Sequence, residues 1–214
     1  ISVRPVYHIQ LYGSFFIDEI KFSRFKPSEP ENNPISYLVG LNWSGWPIDG
    51  LSLRGEFMRS YIACYTHSID VLTWASNSYN MGHYMGDNAQ SIYAELAYRP
   101  VRGLLLRMSY TNDKKFDSYA YLRDNISATI AQAPFQNCIY SNNEFRFDGI
   151  YEAHPNMYIR LSIGYNNAQG FENLKADPLP SEYIATGEEY LNAFCPLYYQ
   201  GKNLTVSGSF SFGF

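Results

Sequence analysis

LTVSGSFSFGF, residues Leu204 to Phe214, sorts its side chains by parity. Leu204, Val206, Gly208, Phe210, Phe212 and Phe214 fall on one side, and Thr205, Ser207, Ser209, Ser211 and Gly213 on the other. A period of two belongs to an extended strand whose successive side chains point to opposite faces. The segment has the length that a tilted strand needs to cross a bilayer, about 9 to 11 residues, and its polar residues are small and uncharged. A half-buried edge strand of a soluble sandwich alternates in the same way, so this stretch alone leaves two classes open.

Working outward, seven more segments repeat the pattern: 6–18, 35–43, 51–61, 92–99, 104–111, 144–153 and 157–166. In 6–18, Tyr7, Ile9, Leu11, Gly13, Phe15 and Ile17 oppose His8, Gln10, Tyr12, Ser14, Phe16 and Asp18. In 51–61 the apolar set contains one exception, Arg59. The polar sets carry Asp18, Glu56, Glu95, Glu144, Asp148 and Glu152 against Arg54, Arg99, Arg107, Arg146 and Arg160. A sandwich core would not face such residues, whereas a barrel interior can. Their near balance predicts a mutually paired interior network rather than a pore selective for one sign.

The connections separate the two classes further. Counted from the C-terminus they alternate between long (169–202, 113–142, 63–90) and short (154–156, 100–103, 45–50), with 21–34 of intermediate length. Outer-membrane barrels have short periplasmic turns and long extracellular loops, and a sandwich has no reason to alternate. The expectation is an all-β, transmembrane antiparallel β-barrel, eight strands in this chain, forming one domain over 1–214. With Phe214 at the periplasmic end, Tyr7, Trp43, Tyr98, Tyr151 and Phe214 form one aromatic girdle. Phe15, Tyr37, Tyr61, Tyr110, Phe145 and Tyr165 form the other. The lysines (Lys21, Lys26, Lys114, Lys115, Lys175, Lys202) fall in the assigned loops or at their edges.

Composition agrees. Charged residues are 17% of the chain, below the quarter or so of soluble domains, and Phe, Tyr and Trp are also 17%. The one long uncharged run, 126–143, is broken by Gln132, Pro134, Gln136 and Asn137, which excludes a transmembrane helix there. The net charge of −4 without a basic cluster excludes nucleic acid as a partner. No phosphate loop, flavin motif or nucleotide fingerprint is present, so no cofactor is expected. The first residue is Ile, which reads as a processed or partial chain.

Three stretches also carry a resemblance. LYGSFFIDEI (11–20), GHYMGDNAQSIYAELAYRPVRGLLLRMSYT (82–111) and YYQGKNLTVSGSFSFGF (198–214) resemble the C-terminal part of outer-membrane proteins of the capsule-assembly Wzi-like family. The closing Phe210, Phe212 and Phe214 resemble the ending that barrel-assembly machinery reads as an assembly signal. The resemblance implies a larger barrel with more strands and added helical elements, incomplete at the N-terminus here. It further implies a surface-exposed role in binding polysaccharide for capsule attachment. It transfers no ligand residues one by one.

The chain's own residues suggest where a ligand could sit. Segment 63–90 sets Tyr65, Trp74, Tyr79, His83 and Tyr84 among Asn77, Asn80, Asp87 and Asn88. Flat aromatic faces suit pyranose rings, and amides and carboxylates suit hydroxyls, so Trp74, Tyr79, His83, Tyr84 and Asp87 are the candidate glycan ligands. Loops that simply fold on themselves have the same composition. Catalysis would need a histidine beside a nucleophile or acid at the rim. His8 and His154 sit at the opposite end, while His67 and His83 lie near Ser68, Asp70 and Asp87 in what reads first as a loop polar cluster. Cys64 and His67 have ligand-like spacing but no second pair, so no metal is expected. Cys138 and Cys195 fall in neighbouring long loops and are the expected disulfide, although three cysteines allow three pairs.

The expected function is therefore a non-enzymatic outer-membrane barrel that binds surface polysaccharide and helps in capsule assembly or attachment. Its partners are outer-membrane lipid, the barrel-assembly machinery, surface polysaccharide and other outer-membrane proteins. An accessory barrel subunit of an outer-membrane secretion or protein-assembly complex is the alternative, and a hydrolase or small channel comes third.

Overall fold

The structure is a computed structural model that describes residues 1–26, 33–65, 73–77, 79–116, 135–172 and 186–213. Among the described residues it is all-β, antiparallel throughout, with one short α-helix and two 3₁₀ turns. The main sheet comprises β1 (Ser2–Val6), β2 (Ile9–Ile17), β3 (Ile35–Ser44), β4 (Leu51–Ser60), β7 (Ala89–Tyr98), β8 (Leu104–Phe116), β9 (Cys138–His154), β10 (Met157–Gly170) and β11 (Gly201–Phe212). Between β4 and β7 lies a two-residue hairpin, β5 (Ala75–Ser76) and β6 (Tyr79–Asn80). Every main strand pairs with its neighbour in sequence, giving the order β1-β2-β3-β4-β7-β8-β9-β10-β11. Helix α1 (Gly187–Phe194) precedes β11 and packs on β9 and β10.

Nine strands replace the expected eight. Segment 6–18 is not one strand: Tyr7 and His8 form a turn, so His8 is not a strand residue, and Ser2–Val6 folds back onto β2 with an irregular register. Among the described residues β1 and β11 each pair on one side only, and the sheet does not close on itself. Several strands also run further than their apolar pattern. β8 continues through Asn112, Asp113, Lys114 and Lys115, and β9 begins at Cys138 rather than at 144. Lys114, Lys115 and Lys202 thus sit in strands rather than loops. Asp18 lies beyond the end of β2 and is exposed.

The short joins have local causes. Gly50, in the β3–β4 turn, has φ +77°, and a Cβ there would come within 2.5 Å of the Arg99 carbonyl oxygen, so only glycine fits. The β9–β10 turn is closed by Asn156 at φ +64°, a conformation asparagine tolerates better than most residues. Helix α1 starts with a capping box, in which the Thr186 hydroxyl accepts from the Glu189 N–H and the Glu189 carboxylate accepts from the Thr186 N–H.

Alternation gives the sheet two unlike faces. Ladder pairing aligns Leu11, Leu41, Gly55, Ala94, Tyr110, Phe145, Tyr165 and Leu204 in one cross-sheet row. It aligns Ile9, Trp43, Leu53, Leu96, Met108, Phe147, Ile163 and Val206 in the next. Among the described residues no element covers this apolar face, and Val39, Met108, Phe145, Leu204 and Phe210 are exposed. On β8 to β11 the apolar character stops where the row that carries Val39, Phe57 and Ile92 on β3, β4 and β7 becomes Asn112, Asn143, Asn167 and Lys202. From Leu204 to Phe212 the band is about 27 Å along the strand, or about 20 Å high at a tilt near 40°.

The buried core lies on the opposite, polar face, at the end where the long connections gather. Met58, Met85, Ala89, Tyr140, Ala168 and Cys195 form one cluster, with Leu38, Leu191 and Tyr199 packed against it. Side chains from β3, β4, β9 and β10 meet there through Met85 and Cys195, which come from the connecting segments.

Candidate functional site

Segment 79–88 folds onto the polar face and is tied down by the upper ends of the strands. The Ser60 hydroxyl donates to the Gly86 carbonyl at 2.5 Å. The Tyr84 hydroxyl donates to Asp113 Oδ1 at 2.7 Å, and the buried Lys115 ammonium donates to the carbonyls of Met85 and Asp87. Upstream, the Tyr65 N–H donates to Asp87 Oδ1 at 2.6 Å and the Tyr65 hydroxyl to Ser36 Oγ at 2.6 Å. The Tyr65 ring lies over Gly82, where an added Cβ would sit 2.4 Å from a ring carbon. The segment's inner end can be buried this way because the carbonyls of Met85, Gly86 and Asp87 each meet a donor.

Of the candidate glycan ligands, Trp74, Tyr79 and Tyr84 present exposed rings. Trp74 leans on Phe16 at 5.3 Å between centroids, and its carbonyl accepts from the Met81 N–H, next to Tyr79 and Asn80 on β6. Asn80 joins this hairpin to the following turn: its Nδ2 donates to the His83 carbonyl at 2.9 Å and its Oδ1 accepts from the Gly82 N–H at 2.8 Å. His83 and Tyr84 stack at 4.3 Å. Burial holds the His83 imidazole down to about 4, with Glu56 opposing; Tyr84 is exposed as a residue, but its hydroxyl end is turned in toward Asp113, and desolvation there pushes the phenol up.

Asp87 belongs to a different class. It is 7% exposed, and its carboxylate anchors the Tyr65 backbone rather than facing solvent. Asn88 is fully buried at φ +48°, with Oδ1 accepting from the Phe135 N–H at 3.0 Å. The site therefore divides into exposed aromatics and a buried polar scaffold that positions them.

His67, Ser68 and Asp70, the other members of the loop polar cluster, lie outside the described residues, as does Phe214 of the terminal signal. Phe210 and Phe212 are exposed on the apolar face of β11. Cys64 is buried and its thiol is pushed up by that burial, which disfavours the thiolate a metal needs. The disulfide expected between Cys138 and Cys195 is not formed, and all three cysteines are free thiols. Cys138 opens β9 and its Sγ donates to the Tyr140 carbonyl at 3.3 Å, while Cys195 follows α1 and packs with Tyr140 in the core cluster.

Below the clasped segment, tyrosines that the sequence did not single out join the expected charges on the polar face. The Tyr12 hydroxyl reaches across β3 to Glu56 Oε1 at 2.5 Å, its ring lying over Gly40. Arg54 donates to the same oxygen and sits 5.8 Å from the Tyr93 ring centroid. Tyr199, from the segment before β11, donates to Glu144 Oε2 at 2.7 Å. Balanced charges of known parity predicted pairing here, but nothing in the pattern pointed to the tyrosines.

Compared with family models, with curated proteins and with solved structures, the chain matches none of them.

Proposed function

We propose that this chain is an outer-membrane β-barrel, or part of one, that binds surface polysaccharide and helps attach capsule without catalysing a reaction. The observation carrying the membrane reading is the apolar face: continuous over β2 to β11, uncovered among the described residues, and giving way on β8 to β10 to a row of asparagines. A water-soluble protein rarely leaves so large an apolar surface open, while a bilayer covers it. Alternation of short turns with long connections supports the same reading, and on that reading the clasped segment faces outward. The glycan assignment rests on Trp74, Tyr79 and Tyr84, exposed rings beside amides on a segment braced from below.

The test replaces Trp74 and Tyr79 by Ala together, since neither contributes to the clasp. Surface abundance of the protein is expected to stay normal while retained polysaccharide on whole cells falls several-fold. Unchanged retention would remove the glycan assignment. One observation favours the accessory-subunit alternative: Leu197 and Tyr198, at 81% and 82% exposure, project beside the core cluster in a position suited to a protein partner. A stoichiometric protein that copurifies in mild detergent, and leaves when both are changed to Ser, would replace the glycan reading with that one.

A further inference from the structure

Three carboxylates on the polar face share one arrangement. Glu56 accepts from Tyr12 Oη and from Arg54, Glu144 from Tyr199 Oη and from Arg146, and Glu95 from Tyr93 Oη at 2.7 Å with Arg107 Nε 3.5 Å away. In each pair the carboxylate lies underneath and the guanidinium above. The glutamates are 18%, 21% and 20% exposed, against 46%, 40% and 47% for Arg54, Arg107 and Arg146. Balanced charge thus presents as a donor surface, because the negative half is sunk and already hydrogen-bonded.

The donor edges are also aligned. Arg54 and Arg146 both grip their glutamate with Nε and Nη2, which leaves Nη1 unused by that contact. Cross-strand register puts Arg54, Glu95, Ser109 and Arg146 in one row, so the two guanidiniums stand three strand spacings apart, about 14 Å along the sheet. Arg107 lies one row below, opposite Asp148, with a buried Nε that has no hydrogen-bond partner. Arg160 is exposed one row further down.

The geometry points to a binding trough along this face for an acidic oligosaccharide, one whose carboxylate or phosphate groups meet the free edges of Arg54, Arg107 and Arg146. Asn42 and Ser109 lie on the row of Arg54 and Arg146, and Tyr93 one row above beside Glu56, where they offer partners to sugar hydroxyls. Forked guanidiniums suit such groups better than point charges do. The inference rests on the glycan reading and names the class of glycan.

The test titrates the full chain in detergent with tetragalacturonate and with its methyl ester, the same sugar without charge. The acid is expected to bind about tenfold tighter than the ester, with the advantage shrinking as salt rises. Two double replacements, Arg54→Gln with Glu56→Gln and Arg146→Gln with Glu144→Gln, remove each charge pair while keeping an acceptor for the tyrosine. Each is expected to lower affinity for the acid and leave the ester unchanged. Equal binding of acid and ester, binding of neither, or folded variants that bind the acid like the parent would overturn the trough. The acid-to-ester comparison on the unaltered chain decides the matter even where a variant misfolds. Replacing Trp74 and Tyr79 separates this site from the rim: if that change affects neither saccharide while the arginine variants lose the acid, the trough stands and the rim assignment falls.

Discussion

The two faces of the sheet are finished in opposite ways. On the polar face, side chains complete one another: Tyr12, Arg54 and Glu56 link β2 to β4, Glu95 and Arg107 link β7 to β8, and Glu144 ties β9 to Tyr199. On the apolar face the contacts are neighbour-to-neighbour, such as Tyr110 on Phe145 at 4.6 Å, and nothing lies above them among the described residues. One face carries its solvation inside the molecule, and the other leaves it to the surroundings. Sequence alternation that reads the same on paper therefore hides a difference in kind between the two sets of residues.

The largest effect should come from placing a charge on each face in turn. Met108→Lys on the apolar face is expected to cost about 2 to 4 kcal/mol of stability in lipid vesicles. The adjacent Ser109→Lys on the polar face should cost under about 1 kcal/mol. Urea unfolding followed by tryptophan fluorescence measures both, and equal costs would mean that the apolar face does not meet lipid.

A smaller contrast comes from two glycines. At Gly40 an added Cβ would stand 2.3 to 2.6 Å from the Tyr12 ring, whereas at Gly55 on the apolar face it would meet nothing within 4 Å. Gly40→Ala is expected to destabilise by about 1 to 3 kcal/mol through displacement of Tyr12, and Gly55→Ala to change stability little. A tolerant Gly40 would show that the Tyr12 bridge to Glu56 contributes little.

The smallest effect is confined to the clasped segment. Because the folded imidazole of His83 titrates near 4 and an unfolded one near 6.5, the stability it contributes is complete above about pH 6.5 and is lost as the pH falls toward 4. Glu56 is the charged group that favours the protonated ring and limits the loss. Hydrogen exchange in residues 81–88 should accelerate over that window, and His83→Gln should remove the acceleration while β9 and β10 stay unchanged.

Where one face was apolar, the sequence showed the strands clearly: β2, β3, β4, β7 and the middle of β8 to β11 follow parity with few exceptions. Arg59 is one, and its guanidinium lies 4.2 Å from the Phe135 ring centroid and donates to Gln90. Legibility ended where both faces become polar, since TNDKKF at 111–116 then has no period to read although the ladder continues. β1 escaped notice because SVRPV carries Arg4 and Pro5 and forms an irregular edge, the position where Pro is allowed. Thr186 and Glu189 have the spacing of a capping box and mark the start of α1 in the sequence itself. At the site, Trp74, Tyr79 and Tyr84 could be recognised as ligand-like rings. The buried role of Asp87 and Asn88 could not, because their partners include Lys115 and Phe135, which lie 28 and 47 residues away.

Lys115 also ties two distant parts of the chain to one another. Its ammonium is buried only because the carbonyls of Met85 and Asp87 come down onto it, and those carbonyls are in place only when segment 79–88 has closed over the ends of β7 and β8. Neither partner gains by arriving first: an early lysine has no acceptors, and an early segment has orphaned carbonyls. Segment 79–88 and the end of β8 therefore hold each other in place. A change at this strand end is thereby felt 28 residues upstream, at the backbone of Asp87.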